Sequence, residues 1–305
     1  MIDLKLKIPG NFLNEEIRDG FVVTEEMKKI WAVELDLLNE FQRVAKKYNI
    51  KYIANGGTML GAVRHKGFIP WDDDIDIMML RCEYERLCDV ASKEFTHPYF
   101  FQTEKTDPGS LRCHAQLRNS DTTAILKWEL DGNFHFNQGI FIDIFPLDSV
   151  PDEDDVFIKT SKEAMRCYRL MRFFSSVSWQ YVSDLRSLKG IVRSILHMIG
   201  YYPFSILTHY LFYKYEKICK RYNNKITQKL SLYCWGYKYK KLQRSRKDHL
   251  ETIDVDFEFM KIPVCKNYDH ALTEIFGDWH KFVIGKSLHG DVIFDTSKPY
   301  TDYIK

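Results

Sequence analysis

Between Gly56 and Met79 the chain reads GGTMLGAVRHKGFIPWDDDIDIMM, which sets a glycine pair, a basic triplet and a cluster of aspartates in one short stretch. Phosphate groups, a divalent cation and an attacking nucleophile need those three kinds of group in one place. The chemistry they would support is transfer of a phosphate-linked group with magnesium.

Asp74-Ile75-Asp76-Ile77 alternates with period two, so Asp74 and Asp76 share one face of a strand while Ile75 and Ile77 enter the core. Two such carboxylates repel unless a cation sits between them, and hard oxygen ligands favour Mg2+ or Mn2+ over zinc. An acidic turn entering a strand is the plainer alternative, and Asp72 and Asp73 suit that turn. A two-metal phosphoryl-transfer site wants a further carboxylate. Asp143 is the candidate, one charge embedded in the apolar run Gly139–Pro146 (GIFIDIFP). Left unpaired there it would cost several kcal/mol, so a metal or a basic partner is expected. A structural salt bridge to an arginine is the alternative. Asp148 reads as a cap for the acidic turn beyond it.

Gly56 and Gly57 let backbone approach a ligand closely, and Thr58 then opens a short helix to about Val63 whose first N–H groups suit a phosphate. Most glycine pairs, however, are only turns. Arg64, His65 and Lys66 follow, either as a solvated basic loop or as groups that neutralise a diphosphate.

Gly56–Met79 together with Gly139–Asp148 (GIFIDIFPLD) resembles the LicD family, which includes fukutin and fukutin-related protein. The stretch reproduces almost all of that family's GTLLGAxRHxGFIPWDDDxDI hallmark, with Met59 where leucine is usual. Pro263–Phe276 with Gly277-Asp278-Trp279 is similar to the family's C-terminal element, Phe276 standing in place of the commoner tyrosine. The resemblance covers roughly residues 24–150 well and about 250–300 loosely. It implies a nucleotidyltransferase-like fold and transfer of a phospho-alcohol, such as phosphocholine or ribitol phosphate, from a CDP-linked donor to a glycan or glycolipid hydroxyl, with release of CMP. By the same resemblance Gly56, Gly57 and Thr58 would contact the donor phosphates, and Asp74 and Asp76 would hold the metal. Asp143 would be the third carboxylate, as ligand or general base. Arg64, His65 and Lys66 match the basic element, with Arg64 the preferred diphosphate clamp, and Trp71 would pack under the aspartate turn.

The surrounding elements must position these groups. A helix from Thr24 to Tyr48 carries the apolar stripe Met27, Ile30, Trp31, Leu38, Phe41, Ala45 and Tyr48. Lys51–Asn55 reads as a short strand and Arg81–Phe95 as a helix. Strands near 99–103, 113–117 and 122–125 lead to the Asp143 strand. The expected class is α/β (α+β): a small mixed sheet flanked by helices over 1–150, and a mainly helical, basic region over 151–305 whose last segment returns to the core.

The chain of 305 residues has a net charge of +2, which neither demands nor excludes polyanionic partners. Its seven cysteines contain no Cys-x-x-Cys pair, so neither a disulfide framework nor a zinc site is expected. The first twenty residues lack an apolar signal core, and a cytoplasmic location is expected. Residues 188–215 are apolar but too interrupted for a membrane span, and read as a buried helical pair or as a surface that docks on a membrane. Lys214–Lys247 is strongly basic with interleaved aromatics, which suits a solvated face, an acidic lipid or a phosphorylated glycan; no nucleic-acid motif accompanies it. His289, Asp295 or Lys298 is a candidate to return to the cleft and touch the acceptor, a structural or exposed role being the plainer alternative for a lone histidine such as His289.

Two other functions fit an Asp-x-Asp: a metal-dependent glycosyltransferase using a nucleotide sugar, and a non-catalytic glycan- or lipid-binding scaffold. The first leaves Gly56–Thr58 and Arg64–Trp71 unexplained. An aspartyl-phosphate phosphatase is a poor fit, because Pro70-Trp71 precede the aspartates where an apolar strand should.

Overall fold

The computed structural model describes residues 1–130, 136–179, 187–233, 243–284 and 291–304. A hairpin of β1 (Glu16–Arg18) and β2 (Phe21–Val23) precedes the long helix α1 (Glu25–Tyr48). Thr24 caps that helix, its Oγ1 accepting from the Met27 amide at 3.3 Å, and Glu25 and Glu26 complement the helix dipole. Asn49 ends it in the left-handed region at φ 48°.

β3 (Ile53–Ala54), α2 (Gly56–Arg64), β4 (Asp76–Leu80) and α3 (Arg81–Glu94) follow. Then come β5 (Tyr99–Gln102), β6 (Ala115–Asn119), β7 (Thr123–Leu126) and the long β8 (Ile140–Val150). β4 lies between β3, antiparallel, and β8, parallel. β6 pairs antiparallel with the first half of β8 and carries β5 at its outer edge. The sheet is therefore mixed, as expected from an order in which helices separate some strands and tight connections join others.

Beyond β8 the chain forms α4 (Asp154–Trp179) and α5 (Leu188–Cys219), packed on one another. The helical pair is thus α4 with α5. Residues 188–215 belong to a single helix, so the expectation of two helices within that stretch is corrected. β9 (Lys229–Ser231) and β10 (Gln243–Ser245) then extend the same sheet from β8, giving the order β10-β9-β8-β4-β3. β11 (Thr252–Phe257) and β12 (Met260–Cys265) make a hairpin, followed by α6 (Tyr268–Phe276). β13 (Val292–Asp295) returns to pair with β7.

The main core joins α1, the sheet and the β11–β12 hairpin, with Trp31 stacked on Phe68 at 4.5 Å and both fully buried. A second apolar cluster lies between α4 and α5, around Phe157, Met171, Phe212 and Tyr215. Between the two, Asp148 is completely buried on an ion pair with Arg81, both contacts at 2.8 Å, and it also accepts from Asn223. Asp148 is therefore an internal anchor rather than the cap its sequence position suggested. The structural arginine bridge considered for Asp143 occurs at Asp148 instead.

Candidate active site

The strand that carries the aspartates begins at Asp76, two residues later than the alternation implies, and Asp74 stands in the irregular segment ahead of it. Ile75 and Ile77 are fully buried, and that anchors the alternate positions toward the opening. Asp76 is the direct register partner of Asp143 in the parallel β4–β8 pair, and the Asp143 amide donates to the Ile75 carbonyl at 2.8 Å. The two carboxylates therefore stand side by side where the sheet's central strands begin.

α2 starts at Gly56 rather than at Thr58, so the glycine pair forms the first helical turn. Gly56 takes φ +50° and no side chain caps the helix. The turn is stitched to β4: the Thr58 hydroxyl accepts from the Asp76 amide at 2.8 Å, and the Asn55 amide donates to the Asp76 carbonyl at 2.9 Å. A methyl group added at Gly57 would lie 2.6 Å from Asp72 Oδ2, and one at Gly56 would lie 3.6 Å from Asp76 Oδ2. The aspartates thus sit directly against the open N-terminus of α2. Asp72 faces Gly57, beyond the turn-forming role its position implied, and its backbone carbonyl is held by the Trp31 indole N–H at 2.9 Å.

Electrostatics separate the two neighbours. Burial pushes the Asp76 carboxyl well above its ordinary value, and Asp74, Asp143 and Asp72 push it further. Burial acts on Asp143 in the same sense. His114 and Gln116, which both donate to Oδ1, and nearby Arg112 outweigh it, so Asp143 stays below its ordinary value. Gln116 is itself oriented: its amide oxygen accepts from the buried Arg118, which also donates to the Gly139 carbonyl and to Gln102. That fixes the Gln116 nitrogen on Asp143.

Glu34 of α1 completes the acidic set. It is 1% exposed, and one of its carboxyl oxygens has no hydrogen-bond partner. Burial first, then Asp74, Asp73, Asp72 and Asp76, drive it well above its ordinary value. Sequence reasoning missed Glu34, although a signal was there: it occupies the position between Trp31 and Leu38 in the apolar stripe of α1, the one place in that stripe where a charge stands. His114, Gln116 and Arg118 were missed too. Gln116 and Arg118 lie on β6 and His114 just ahead of it, and only the antiparallel pairing of β6 with β8 brings them to Asp143.

The basic triplet is placed differently from the glycine turn. Arg64 lies at the far end of α2, about 12 Å along the axis from Gly56 at 1.5 Å per residue. Its guanidinium donates to the Trp279 carbonyl at 2.8 Å and lies 4.8 Å from the Phe282 ring centre. His65 Nδ1 pairs with Asp19 at 2.7 Å, and Lys66 Nζ donates to the Val63 carbonyl. The following loop is gripped by Glu258, which accepts from the Phe68 amide and from Arg18 while its own amide donates to the Lys66 carbonyl. Trp71 packs edge-on against Phe21 and Phe282. In these contacts the triplet joins the N-terminal hairpin, α2 and the Trp279–Phe282 segment. Asp295 is engaged by Ser297 and Tyr303, the Lys298 carbonyl accepts from Thr123, and His289 lies outside the described residues.

Adjacent carboxylates on central strands, facing an uncapped glycine-rich helix start, are a donor set for a hard cation and a phosphate. Residues 49–173 match the LicD/FKTN/FKRP nucleotidyltransferase domain. Over 272 residues, 84% of this chain and 93% of the other, the sequence is 29% identical to the lipopolysaccharide cholinephosphotransferase LicD of Haemophilus influenzae. A 41-residue stretch, 13% of this chain, is 54% identical to uncharacterised proteins of Rickettsia prowazekii and Rickettsia typhi, of which it covers 15% and 13%. The chain is thus similar to the LicD family, through that domain and over most of its length.

Proposed function

We propose that this protein transfers a phospho-alcohol, phosphocholine or an alditol phosphate, from a CDP-linked donor to a hydroxyl of a cell-surface glycan or glycolipid, on the cytoplasmic side. The observation that carries this reading is the juxtaposition of Asp76 and Asp143 beside the open first turn of α2. The similarity to a lipopolysaccharide cholinephosphotransferase supports the choice of transferred group and acceptor.

Asp74, Asp76 and Asp143 fit a hard divalent cation, because no basic side chain is among the groups that act on Asp76, whereas three carboxylates press on it. Magnesium, or manganese, would neutralise the donor diphosphate there. The amides of Gly56, Gly57 and Thr58 would receive the donor phosphates at the helix start. Asp143 is held as a carboxylate by His114 and Gln116 through Oδ1, which leaves Oδ2 to take the proton of the acceptor hydroxyl. The hydroxyl oxygen then attacks the phosphorus bearing the alcohol. A new P–O bond forms, the bond to the bridging oxygen breaks, and CMP leaves with that oxygen. Arg64, His65 and Lys66 serve mainly to frame the site, since their contacts lie toward Asp19, Trp279 and Val63.

The test is CMP release, with magnesium, from CDP-choline, CDP-ribitol, CDP-glycerol and CDP-ethanolamine in the presence of glycan acceptors, with Asp76→Asn as control. CMP from one donor, abolished in the variant, is the expected result. Release of UDP or GDP from sugar nucleotides instead would overturn it in favour of glycosyl transfer.

A further inference from the structure

Helices on a protein surface normally bury one apolar stripe and show water a polar one. α5 departs from that rule. Its inner stripe, Leu211, Phe212, Tyr215 and Ile218, packs in the cluster with α4. Its outer side is apolar as well: Leu188 is 83% exposed, Ile206 71% and Tyr210 60%, and Val192, Ile195 and Tyr213 are exposed too. These positions recur at the three- and four-residue spacing of a single helix face, before and after the middle of the helix. No helix among the described residues is long and apolar enough to cross a bilayer.

The neighbouring helix supplies the same kind of surface. Cys167 Sγ donates to the Leu211 carbonyl, which fixes the register of the antiparallel pair and sets Leu170 and Phe173 of α4 at the level of Ile206–Tyr210. Leu170 and Phe173 are exposed, and Arg166 and Arg169 stand one helical turn before them. On α5, Lys214 and Lys217 are exposed one turn after Tyr210 and Tyr213. Exposed apolar side chains bordered by cations match the layering of a bilayer surface, where acyl chains lie beneath anionic headgroups.

The basic run further on is less suited to that role than its composition implied. Arg221 is bound to Glu163, Lys220 to Glu85 and Lys229 to Asp154, while Arg244 is buried. Part of the run is therefore spent on ties to α4 and α3.

We propose that the outer face of α5, with the adjoining part of α4, is a docking surface for an anionic lipid bilayer, which it enters only to interfacial depth. The inference is independent of the reaction assigned to the aspartate site. It also accounts for an outer helix face that water alone would disfavour.

The full chain would be sedimented with vesicles of phosphatidylcholine alone and of equal parts phosphatidylcholine and phosphatidylglycerol. Binding to the mixed vesicles is expected, weakening as salt is raised. Ile206→Ser with Tyr210→Ser should reduce it about tenfold, and Lys214→Gln with Lys217→Gln should reduce it by a similar factor while leaving CMP release with a soluble acceptor unchanged. Unfolding temperatures of both variants should match the parent's, as befits exposed positions. Equal sedimentation of parent and variants, or no binding of the parent, would overturn the proposal. So would a dimer in solution that Ile206→Ser dissociates, since a second copy would then be what covers the face.

Discussion

Asp76 and Asp143 come from strands 67 positions apart in the chain, yet they are direct register partners in a parallel pair. Asp76 faces only other carboxylates among the groups that shift it, whereas Asp143 is held by His114 and Gln116. Replacing Asp76 by Asn should cost about a thousandfold in turnover, the size of several kcal/mol of lost charge stabilisation. Asp143→Asn should cost a similar factor. Isothermal titration with Mn2+ distinguishes the roles: metal binding should fall in both, and a variant that loses activity but keeps full metal affinity would remove that residue from the ligand set.

Two glycines of α2 make contrasting tests. An added methyl at Gly57 meets the Asp72 carboxylate, the end of a side chain that can turn away. At Gly61 it would lie 2.5 Å from the Gly67 carbonyl, which is backbone held by the Glu258 clamp. Gly57→Ala should therefore unfold near the parent temperature but lose activity, whereas Gly61→Ala should lose about 1–3 kcal/mol of stability, the usual cost of overpacking. Urea unfolding with paired activity assays would check both. A stable, active Gly57→Ala would remove the first turn of α2 from the site.

The sequence made the local features legible, and the long-range ones much less so. Thr24 as cap, the apolar stripe of α1 and the strand alternation at Ile75 and Ile77 are set by neighbours in the chain, and the structure has them where periodicity places them. The start of α2 at Gly56 was harder, since a glycine pair reads equally as a turn. His114 and Gln116 could not be assigned, because only strand pairing brings β6 to β8. The contacts of Arg64 with Trp279 and Phe282, far along the chain, are likewise out of reach of a local reading. Asp148 and Asp143 look alike in one apolar strand. What separates them is that Arg81, opening α3, reaches the first of the pair.

That buried pair has a measurable consequence. Arg81 and Asp148 exchange two charge-assisted hydrogen bonds in full burial. Asp148→Asn would leave the guanidinium without its main counter-charge, with Glu216 at 3.5 Å as the remaining acid. A loss of about 3–5 kcal/mol is expected in urea unfolding. A loss below about 1 kcal/mol would mean that Glu216 compensates.

Glu34 should behave in the opposite sense. It is a buried carboxyl with an unpartnered oxygen, pressed by the four aspartates. Glu34→Gln keeps the shape and removes the like charge, so in a chelator the variant should unfold about 1 kcal/mol later than the parent. Differential scanning calorimetry in EDTA measures this. A lower unfolding temperature for the variant would show that the charge is satisfied and that repulsion does not dominate there.

His249 gives the fold a pH dependence of its own. Burial holds its ring far below the ordinary histidine value of 6.5, at about 4, and Arg244 adds to the effect. The ring is neutral in the folded protein, with Nδ1 donating to the Ser245 carbonyl. Asp248 and that hydrogen bond pull the other way without reversing the shift. Because the folded protein binds the proton less readily than the unfolded chain, stability is fully present above about pH 6.5 and falls as pH drops toward about 4. The shift corresponds to about 3 kcal/mol across that window. Unfolding in urea at a series of pH values, compared between the parent and His249→Gln, isolates this contribution from that of the carboxylates. The variant should lose less stability than the parent between those limits. Parallel curves would mean that the ring titrates normally and that its burial costs the folded state nothing.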